Sequence, residues 1–423
     1  MELQSFSGSA LADLGRQLET RYAAFKARGL KLDMTRGKPS SEQLDLADAL
    51  LDRPPQGFLG SDGTDGRNYG GLDGLPEMKA LLAPLLDVAP AHVVIGGNSS
   101  LQLMHDALVR AWTHGVPDGQ GPWCKLPKVK FLCPSPGYDR HFAICQHLGI
   151  EMINVQLRGD GPDMDHVEEL VRSDAAIKGM WCVPKYSNPT GTTYADGVVD
   201  RLANMPTAAA DFRLFWDNAY AVHDLYAEGD RLKDVVSACA RAGHENRPLV
   251  FASTSKISFA GAGVAAFGSS AANVADAKRS LGLQTIGPDK LNQLRHVAFF
   301  KDFSGIRAHM RRHAEILRPK FEAVTQIFEA ELGGKGIASW TKPRGGYFVS
   351  LDTLHGCASQ VVSLASDAGV KLTGAGATFP YGKDALDRNI RIAPSLPPLD
   401  QIRVAMEVVA VCVTLASVRK LSA

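Results

Sequence analysis

The segment Phe251-Ala252-Ser253-Thr254-Ser255-Lys256-Ile257-Ser258 sets one lysine among small hydroxyl side chains. The apolar residues 249–252 predict a buried strand, and the hydroxyl-rich residues after them predict a turn at its carboxyl end. A lysine in such a turn can form an imine with an aldehyde cofactor that also carries a phosphate. Most lysines in Ser/Thr/Gly loops are solvated surface residues. The significance of Lys256 therefore depends on the residues at the carboxyl ends of the other predicted strands.

Short apolar stretches recur through the middle of the chain, and helical patterns separate most of them. They lie at residues 129–133, 152–155, 179–183, 214–216, 249–251 and 264–267. This alternation predicts an α/β fold with a buried, mainly parallel sheet between helices. Polar turns after these strands are expected along the carboxyl edge of the sheet, where open α/β folds bind ligands.

The pattern changes after residue 303. Apolar residues at helical spacing over 306–332 predict a long connecting helix, with a bend at Pro319. Strands predicted at 346–350, 370–372 and 389–392 and a helix at 402–418 indicate a smaller α+β domain. We therefore predict an N-terminal segment (1–55) packing with the small domain, a large domain (56–302) and a small domain with the connecting helix (303–423).

Composition excludes several classes of protein. The 423 residues are 45% hydrophobic, and Lys+Arg 46 balances Asp+Glu 45, which argues against a dedicated nucleic-acid or polybasic membrane protein. No apolar run approaches the roughly 18 residues that span a bilayer. The seven cysteines are scattered and form no CxxC pair, so reduced thiols in a cytoplasmic protein and no metal site are expected.

An anion site is predicted where Asn98-Ser99-Ser100 follows the apolar residues 93–97 and opens a helical run over 101–112. Backbone N–H groups at a helix N-terminus, joined by two hydroxyls, suit a phosphate. An ordinary helix cap is the alternative interpretation.

Asp217 ends the apolar stretch 214–216, and Tyr220 follows it by three residues. A carboxylate leaving so apolar a strand needs a partner, because an unpaired buried charge is costly. A protonated ring nitrogen would be such a partner and would turn a pyridine into a strong electron sink. Tyr220 could then hydrogen-bond a ring hydroxyl. A helix cap or a buried salt bridge would also explain Asp217.

Three further side chains are expected near this edge. The turn 186–191 carries Asn188, and the turn 133–138 ends in Tyr138, a ring that could stack on a flat cofactor. Arg391 lies on the otherwise apolar strand 389–392, and arginine suits a bidentate grip on a carboxylate. The alternative interpretations are that the two segments are simple turns, that Tyr138 lies on the surface and that Arg391 pairs with an internal acid.

The order of these motifs resembles that of fold-type I pyridoxal-phosphate aminotransferases. The motifs are Tyr69-Gly70-Gly71, Asn98-Ser99-Ser100, Tyr138, Asn188-Pro189-Thr190-Gly191, Asp217-x-x-Tyr220, Ser253-x-Ser255-Lys256 and Arg391. The resemblance extends from about residue 30 to 395. The sequences of residues 33–39 and 253–263 are similar to those of a divergent bacterial aspartate aminotransferase subgroup. It implies the fold-type I architecture, a seven-stranded, mainly parallel sheet plus a smaller α+β domain.

The resemblance implies a role for each residue near the cofactor, pyridoxal 5'-phosphate. Lys256 would bind it as an imine and act as the general base and acid. Asp217 would hold the pyridinium proton, Tyr220 and Asn188 would contact the ring hydroxyl, and Tyr138 would stack on the ring.

Phosphate and substrate contacts are implied in the same way. Ser99, Ser100, Ser253 and Ser255 would surround the phosphate, joined by Tyr69 from the second subunit of a homodimer. Arg391 would hold the substrate α-carboxylate together with Asn188 and the backbone at Gly37, and Arg36 is a further substrate-binding candidate.

One position departs from the family pattern. Many members have an arginine about eight residues after the lysine that pairs with the phosphate, and Val264 stands there in this chain. We expect Ser258 to substitute for it. A second cationic grip on a substrate side-chain carboxylate has five candidates, which are Arg36, Lys38, Arg140, Lys290 and Arg295.

The sequence therefore predicts transfer of an amino group between an amino acid, aspartate or glutamate, and a 2-oxo acid, 2-oxoglutarate or oxaloacetate. A transaminase of aromatic or neutral amino acids is the first alternative. A lyase or decarboxylase on the same fold is the second, because the same lysine, aspartate and arginine serve those reactions. A ligand-sensing regulator is disfavoured, because no basic DNA-binding segment precedes the body.

Overall fold

The computed structural model describes residues 2–422, which form an α/β protein with three sheets. The helices of this part are α1 Gly8–Ala27, α2 Ser41–Asp45, α3 Pro76–Leu86, α4 Ser100–His114, α5 Asp139–His147, α6 Met164–Ser173, α7 Asp196–Asn204, α8 Val235–Arg241, α9 Ala271–Gln284, α10 Lys290–Phe300, α11 Phe303–Leu332, α12 Ala358–Asp367 and α13 Leu399–Leu421. The strands are β1 Leu32–Asp33, β2 Val93–Ile95, β3 Lys130–Ser135, β4 Glu151–Arg158, β5 Gly161–Pro162, β6 Ile177–Cys182, β7 Arg213–Asp217, β8 Pro248–Ser253, β9 Ala265–Gly268, β10 Ala338–Trp340, β11 Val349–Thr353, β12 Val370–Lys371 and β13 Asn389–Ile392.

The central sheet has the strand order β2-β9-β8-β7-β6-β3-β4-β5. The strands from β8 to β4 pair in parallel, and β9 runs antiparallel to both of its neighbours. Strands β6 and β7 are buried along their whole length, as expected for a sheet covered by helices on both faces. The predicted α/β architecture is confirmed. The sheet has one strand more than the seven expected, because the chain turns back at Gly159 and Asp160 and adds the two-residue edge strand β5.

The order of the parallel strands decides where the polar turns meet. Strands β3, β6, β7 and β8 are consecutive neighbours in the sheet, so their carboxyl ends form one continuous edge. Asp217 is the last residue of β7, and Lys256 follows the end of β8 by three residues. Asn188 follows the end of β6, and Tyr138 follows the end of β3, each within a few residues along the chain. The sheet therefore gathers four separated motifs of the sequence along one edge.

The second region contains a three-stranded antiparallel sheet, β10-β11-β13, and the parallel pair β1-β12. The strand predicted at 346–350 begins only at Val349. Gly346 has a left-handed φ of 79° and a Cβ there would lie 2.9 Å from the Tyr186 side chain, so the chain turns before the strand starts.

Helix α11 connects the two regions, and Pro319 lies inside it without ending it. Its first half packs on the core of the central sheet through Ile306 and Met310, whereas Phe321 and Phe328 in its second half pack on the core around α13. Helix α1 joins the α13 core through Leu11, Leu18 and Tyr22. The predicted N-terminal segment is not uniform, because Leu50 packs with the central-sheet core. The proposed domain boundaries remain a prediction.

Helix α13 contradicts the expectation that no apolar stretch of the chain is long enough to span a bilayer. Over 18 residues its mean hydropathy of 1.7 makes it long and apolar enough to cross a membrane, and it is the one such helix in residues 2–422. In the folded chain 78% of that window is buried. The apolar character of α13 is explained by its place at the centre of a protein core.

Candidate active site

Lys256 projects into the edge of the sheet from a turn after β8. Its side chain is partly buried, and Nζ lies 4.7 Å from the centroid of the Tyr220 ring. Burial lowers the pKa of the Lys256 ammonium below its ordinary value, and attraction by the Asp217 carboxylate opposes that shift. A lysine with a lowered pKa is more readily neutral, which is the form that acts as a nucleophile or a base.

Asp217 is 3% exposed and has only one of its oxygens satisfied. His141 Nε2 donates a hydrogen bond to Oδ2 at 3.1 Å, whereas Oδ1 is buried and has no hydrogen-bond partner. Such an acceptor is costly unless a donor meets it. A protonated ring nitrogen of a bound cofactor would satisfy Oδ1, so this carboxylate fits the group that the sequence predicts for it.

His141 is a site residue that the sequence reasoning missed. It lies on the first turn of α5, three residues after Tyr138, and its ring stacks on Trp181 with centroids 4.3 Å apart and planes inclined by 10°. Tyr138 packs edge-on against His141 at 4.9 Å. The spacing Tyr138-x-x-His141 was the available signal, because residues three apart on a helix share a face.

Arg391 on β13 faces the same edge. Its Nη1 donates to Asp139 Oδ1 at 3.0 Å and to Asn188 Oδ1 at 3.3 Å, while its buried Nε has no partner. The guanidinium lies 5.1 Å from the centroid of the Phe348 ring. The structure thus brings Arg391 and Asn188 together as predicted, with one unused donor.

Gly37 explains why the N-terminal segment can approach this arginine. A Cβ at Gly37 would lie 2.0 Å from Cζ of Phe348, so only glycine lets the backbone lie on that ring. Gly37, Phe348 and Arg391 form one stack, and Arg36, which precedes Gly37 in the chain, is exposed. Phe348 was also missed, because an aromatic residue before an apolar strand gives no signal of its own.

The predicted phosphate hydroxyls lie around the start of α4. Ser99 precedes α4 without using its side chain as a cap, and Ser100 is the first helical residue. Ser253 Oγ donates to Ser255 Oγ at 3.2 Å, and Ser255 Oγ donates to the Asn98 carbonyl at 2.6 Å. These hydroxyls therefore connect the turn after β8 with the N-terminus of a 15-residue helix, where an anion is favoured.

Ser258 does not take the position expected of a substitute for the missing arginine. Its side chain is fully buried, its Oγ donates to the Thr254 carbonyl at 3.2 Å, and it lies 2.8 Å from His296 Nε2. Val264 is also buried, and its N–H donates to Thr254 Oγ1. The hydroxyl of Ser258 is occupied beneath the turn and is not free to meet a phosphate.

Other predicted residues lie at the periphery. Tyr69 is 80% exposed, so nothing within the chain covers its ring. Lys290 is buried and donates to the Gly70 carbonyl at 2.7 Å, which commits it to the Tyr69 loop. Lys38 and Arg140 are exposed, and Arg295 is half-buried.

Comparison with solved structures identifies the class of protein that this fold and site define. An aspartate transaminase from Corynebacterium glutamicum superposes with a TM-score of 0.96 at 48% identity, covering 100% of this chain and 99% of that one. LysN, an α-aminoadipate aminotransferase from Thermus thermophilus, superposes with a TM-score of 0.73 at 20% identity over 94% of this chain and 95% of that one. The second likeness shows the fold alone. The architecture is that of fold-type I aminotransferases, as the motifs predicted.

Sequence comparison narrows the class. The family model for aspartate amino-transferases matches residues 6–423. An aspartate aminotransferase of Corynebacterium glutamicum is 49% identical over 418 residues, which cover 99% of this chain and 96% of that protein. The chain therefore belongs to the aspartate aminotransferase family. Aminotransferase activity, expected from the motifs, is confirmed at the level of the family.

A pH-dependent stability follows from the buried histidine beneath the lysine turn. His296 Nδ1 donates to the Asn292 carbonyl at 2.8 Å and its Nε2 contacts the hydroxyls of Thr254 and Ser258, so the neutral ring is fully bonded. Burial lowers the pKa of His296 to about 4. The stabilisation is complete above the ordinary histidine pKa of about 6.5. It is lost as the pH falls toward 4, because His296 binds a proton in the unfolded chain at pH values at which it stays neutral in the folded chain.

We expect His296→Gln to reduce the loss of unfolding free energy at acid pH. The free energy of unfolding of the wild type should fall by about 2 kcal/mol more than that of the variant between about pH 7 and pH 5. Urea denaturation at the two pH values measures the difference. His114→Gln, at an exposed histidine, is the matched control and should behave like the wild type. Equal slopes for wild type and His296→Gln would contradict the assignment.

Proposed function

We propose that this edge of the sheet binds pyridoxal 5'-phosphate and that the protein transfers amino groups between amino acids and 2-oxo acids. The observation that carries the proposal is a buried carboxylate, Asp217, with one unpartnered oxygen, close enough to Lys256 to act on its charge, together with the burial that lowers the pKa of Lys256. When bound, the cofactor supplies an aldehyde carbon that joins an amine and a conjugated ring that accepts electrons from the substrate α-carbon. The residues of this chain supply the orientation and the proton transfers.

In the proposed site the amine of Lys256 would be the attachment point for the aldehyde of the cofactor. The same amine, when free, would remove the α-proton of a bound amino acid and return a proton, acting as general base and general acid. The buried Oδ1 of Asp217 would hold the proton of the ring nitrogen. His141, braced against Trp181, holds the other oxygen and so orients the carboxylate.

The remaining contacts fix the cofactor's position. In this proposal Tyr220 and Asn188 would contact a ring hydroxyl, and Tyr138 would cover the ring. The phosphate would be held by neutral donors and the N-terminus of α4, from the residues Ser99, Ser100, Ser253 and Ser255. Among residues 2–422 no lysine or arginine side chain donates a hydrogen bond to residues 98–100 or 253–264. We therefore propose that neutral hydrogen bonds to the phosphate replace those of the arginine that many family members have at the position of Val264.

Arg391 is the proposed grip for the substrate α-carboxylate. Its Nη1 contacts Asp139 and Asn188, and its buried Nε has no partner and is available to a carboxylate. An incoming carboxylate would compete with Asp139, which is partly exposed and therefore gives way at modest cost. The backbone at Gly37 closes the other side of the same pocket.

Aspartate and glutamate are the proposed amino donors, with 2-oxoglutarate and oxaloacetate as acceptors. Two relatives at about half identity are named aspartate aminotransferase and aspartate transaminase. Of the five candidate cations for the second carboxylate, Arg36 is the residue directly before Gly37 and is exposed, whereas Lys290 donates to the Gly70 carbonyl. We therefore propose Arg36 for the side-chain carboxylate.

We further propose that the enzyme works as a homodimer in the cytoplasm. Tyr69, Leu283 and Ile286 are 80%, 89% and 61% exposed, and their loops adjoin, because a Cβ at Gly287 would lie 2.5 Å from the Gly70 carbonyl oxygen. Large apolar side chains grouped on a surface favour an interface. The seven cysteines are free thiols, the state usual in the cytoplasm.

Lys256→Ala should abolish transamination and the visible absorbance of the lysine-bound cofactor, because no other amine lies at the end of β8. Purified protein is assayed for oxo-acid-dependent amino transfer and scanned spectrally. Lys125→Ala, at an exposed lysine, is the control and should keep both signals. Survival of either signal in Lys256→Ala rejects the assignment.

A panel of amino donors with 2-oxoglutarate tests substrate class. With this acceptor aspartate should be the best donor, and glutamate should be the best donor when oxaloacetate replaces 2-oxoglutarate. Arg36→Met should lower kcat/KM for aspartate about tenfold or more while leaving alanine within about twofold, because only the dicarboxylate loses a charged hydrogen bond. Lys38→Met, two residues away, is the matched comparison. Equal losses for both donors contradict the role of Arg36, and release of ammonia or CO2 in place of amino transfer contradicts the proposed reaction.

Mixing an impaired variant with an inactive one tests whether Tyr69 serves the second subunit. Tyr69→Ala should lower activity, and Lys256→Ala should remove it. In a mixed dimer one site then combines an intact Lys256 with an intact Tyr69 from the other chain, so activity should return after the variants are unfolded and refolded together. Activity no greater than that of the Tyr69→Ala chains alone would place Tyr69 outside the shared site.

A further inference from the structure

The backbone carbonyl of Lys256 is held by two side chains from outside its own segment. His223 Nε2 lies 3.2 Å from this oxygen, and Tyr347 Oη donates to it at 3.3 Å. Lys256 stands in a turn, so its carbonyl belongs to no helix or sheet ladder. A carbonyl oxygen has two lone pairs, and these two donors engage both.

The role of His223 in this contact is determined by chemistry. A carbonyl can only accept, so Nε2 must carry the proton, and Nδ1 must be bare because its buried lone pair has no partner. Burial, reinforced by the charge of Lys256, holds the pKa of His223 well below its ordinary value. The ring is confined by Tyr220 and Tyr347, which lie edge-on at 5.4 and 5.5 Å. His223 is therefore a neutral donor with a single orientation.

Gln43 determines the direction of the Tyr347 hydroxyl. The backbone N–H of Ser40 donates to Gln43 Oε1 at 3.1 Å, which leaves the amide nitrogen facing inward. That nitrogen donates to Tyr347 Oη at 3.1 Å and lies 3.0 Å from His313 Nδ1. Because Tyr347 accepts from Gln43, its own hydrogen is free to point at Lys256. Gln43, Tyr347 and His313 are fully buried.

The next carbonyl in the turn is held as well. His309 and His313 lie one turn apart on α11, and His309 Nε2 lies 2.9 Å from the Ile257 carbonyl oxygen. The turn that carries the lysine is thus contacted from the loop after β7, the approach to β11 and helix α11, with helix α2 behind them. These four segments are far apart in sequence.

We propose that His223 and Tyr347 are positioning residues for Lys256, and that Gln43 aligns the Tyr347 hydroxyl for this purpose. The inference rests on the proposed role of Lys256 as the base. A lysine side chain is long and flexible, so its amine reaches a proton reproducibly only if the peptide from which it swings stays in place. A misplacement of about 1 Å can cost about a hundredfold in rate. Two donors on one carbonyl restrain both translation and rotation of that peptide.

Tyr347→Phe and His223→Leu test the proposal, because each removes one donor. In steady-state assays with aspartate and 2-oxoglutarate, each variant should lower kcat about tenfold or more while KM stays within about twofold. The kinetic isotope effect with α-deuterated aspartate should rise, because proton removal by Lys256 becomes slower relative to other steps. The pH titration of the visible absorbance of the loaded enzyme should also shift, since the lysine nitrogen moves.

Two further variants separate positioning from general stability. His223→Gln places an amide nitrogen near the position of Nε2 and should recover most of kcat. Tyr22→Phe is the matched control, because Tyr22 is buried and its hydroxyl donates to the Leu364 carbonyl at 2.9 Å, away from the site. It should lose comparable stability and keep the kcat, the isotope effect and the titration of the wild type.

The outcomes distinguish this inference from the proposed function. If the wild type transaminates and Lys256→Ala does not, but Tyr347→Phe keeps the wild-type kcat and isotope effect, the positioning role is wrong. Equal losses in Tyr347→Phe and Tyr22→Phe overturn it as well. Absence of transamination in the wild type would instead overturn the proposed function. Tyr347→Phe removes a single oxygen atom, so it decides the question even if His223→Leu fails to fold.

Discussion

A buried carboxylate with one free oxygen is the constraint on which the rest of the site depends. Asp217 sits at the end of a fully buried strand, where an unmatched acceptor costs free energy that the fold must offset elsewhere. His141 satisfies one oxygen, and the stacking of His141 on Trp181 keeps that bond in place. The remaining oxygen is a buried acceptor without a partner, and in the proposed function it would select a ring with a protonated nitrogen.

The same carboxylate acts on Lys256 through charge. Burial lowers the pKa of Lys256, and attraction by Asp217 opposes that shift. The balance suits an amine that must act alternately as nucleophile, base and acid. In the proposed function neutral hydroxyls and the N-terminus of α4 would hold the phosphate.

The lysine turn also links the two halves of the molecule. Its carbonyls receive hydrogen bonds from residues of the central sheet region, from α11 and from the segment before β11. Gln43 extends this network to the N-terminal segment, while Gly37 brings the same segment onto Phe348 beneath Arg391. The placement of the base and of the carboxylate grip therefore depends on one packing arrangement.

The sequence by itself determined the α/β class, the connecting helix and the residues at the carboxyl edge of the sheet, because strand periodicity and turn composition are local properties. Lys256, Asp217, Asn188 and Arg391 could be named in this way. Only the tertiary structure showed that Ser258 is occupied beneath the turn and that β5 adds an edge strand. It also identified His141, His223 and Tyr347, whose roles arise from partners tens to hundreds of residues away. A hydrogen bond depends on distance and direction in space, and neither is encoded in the local pattern around these residues.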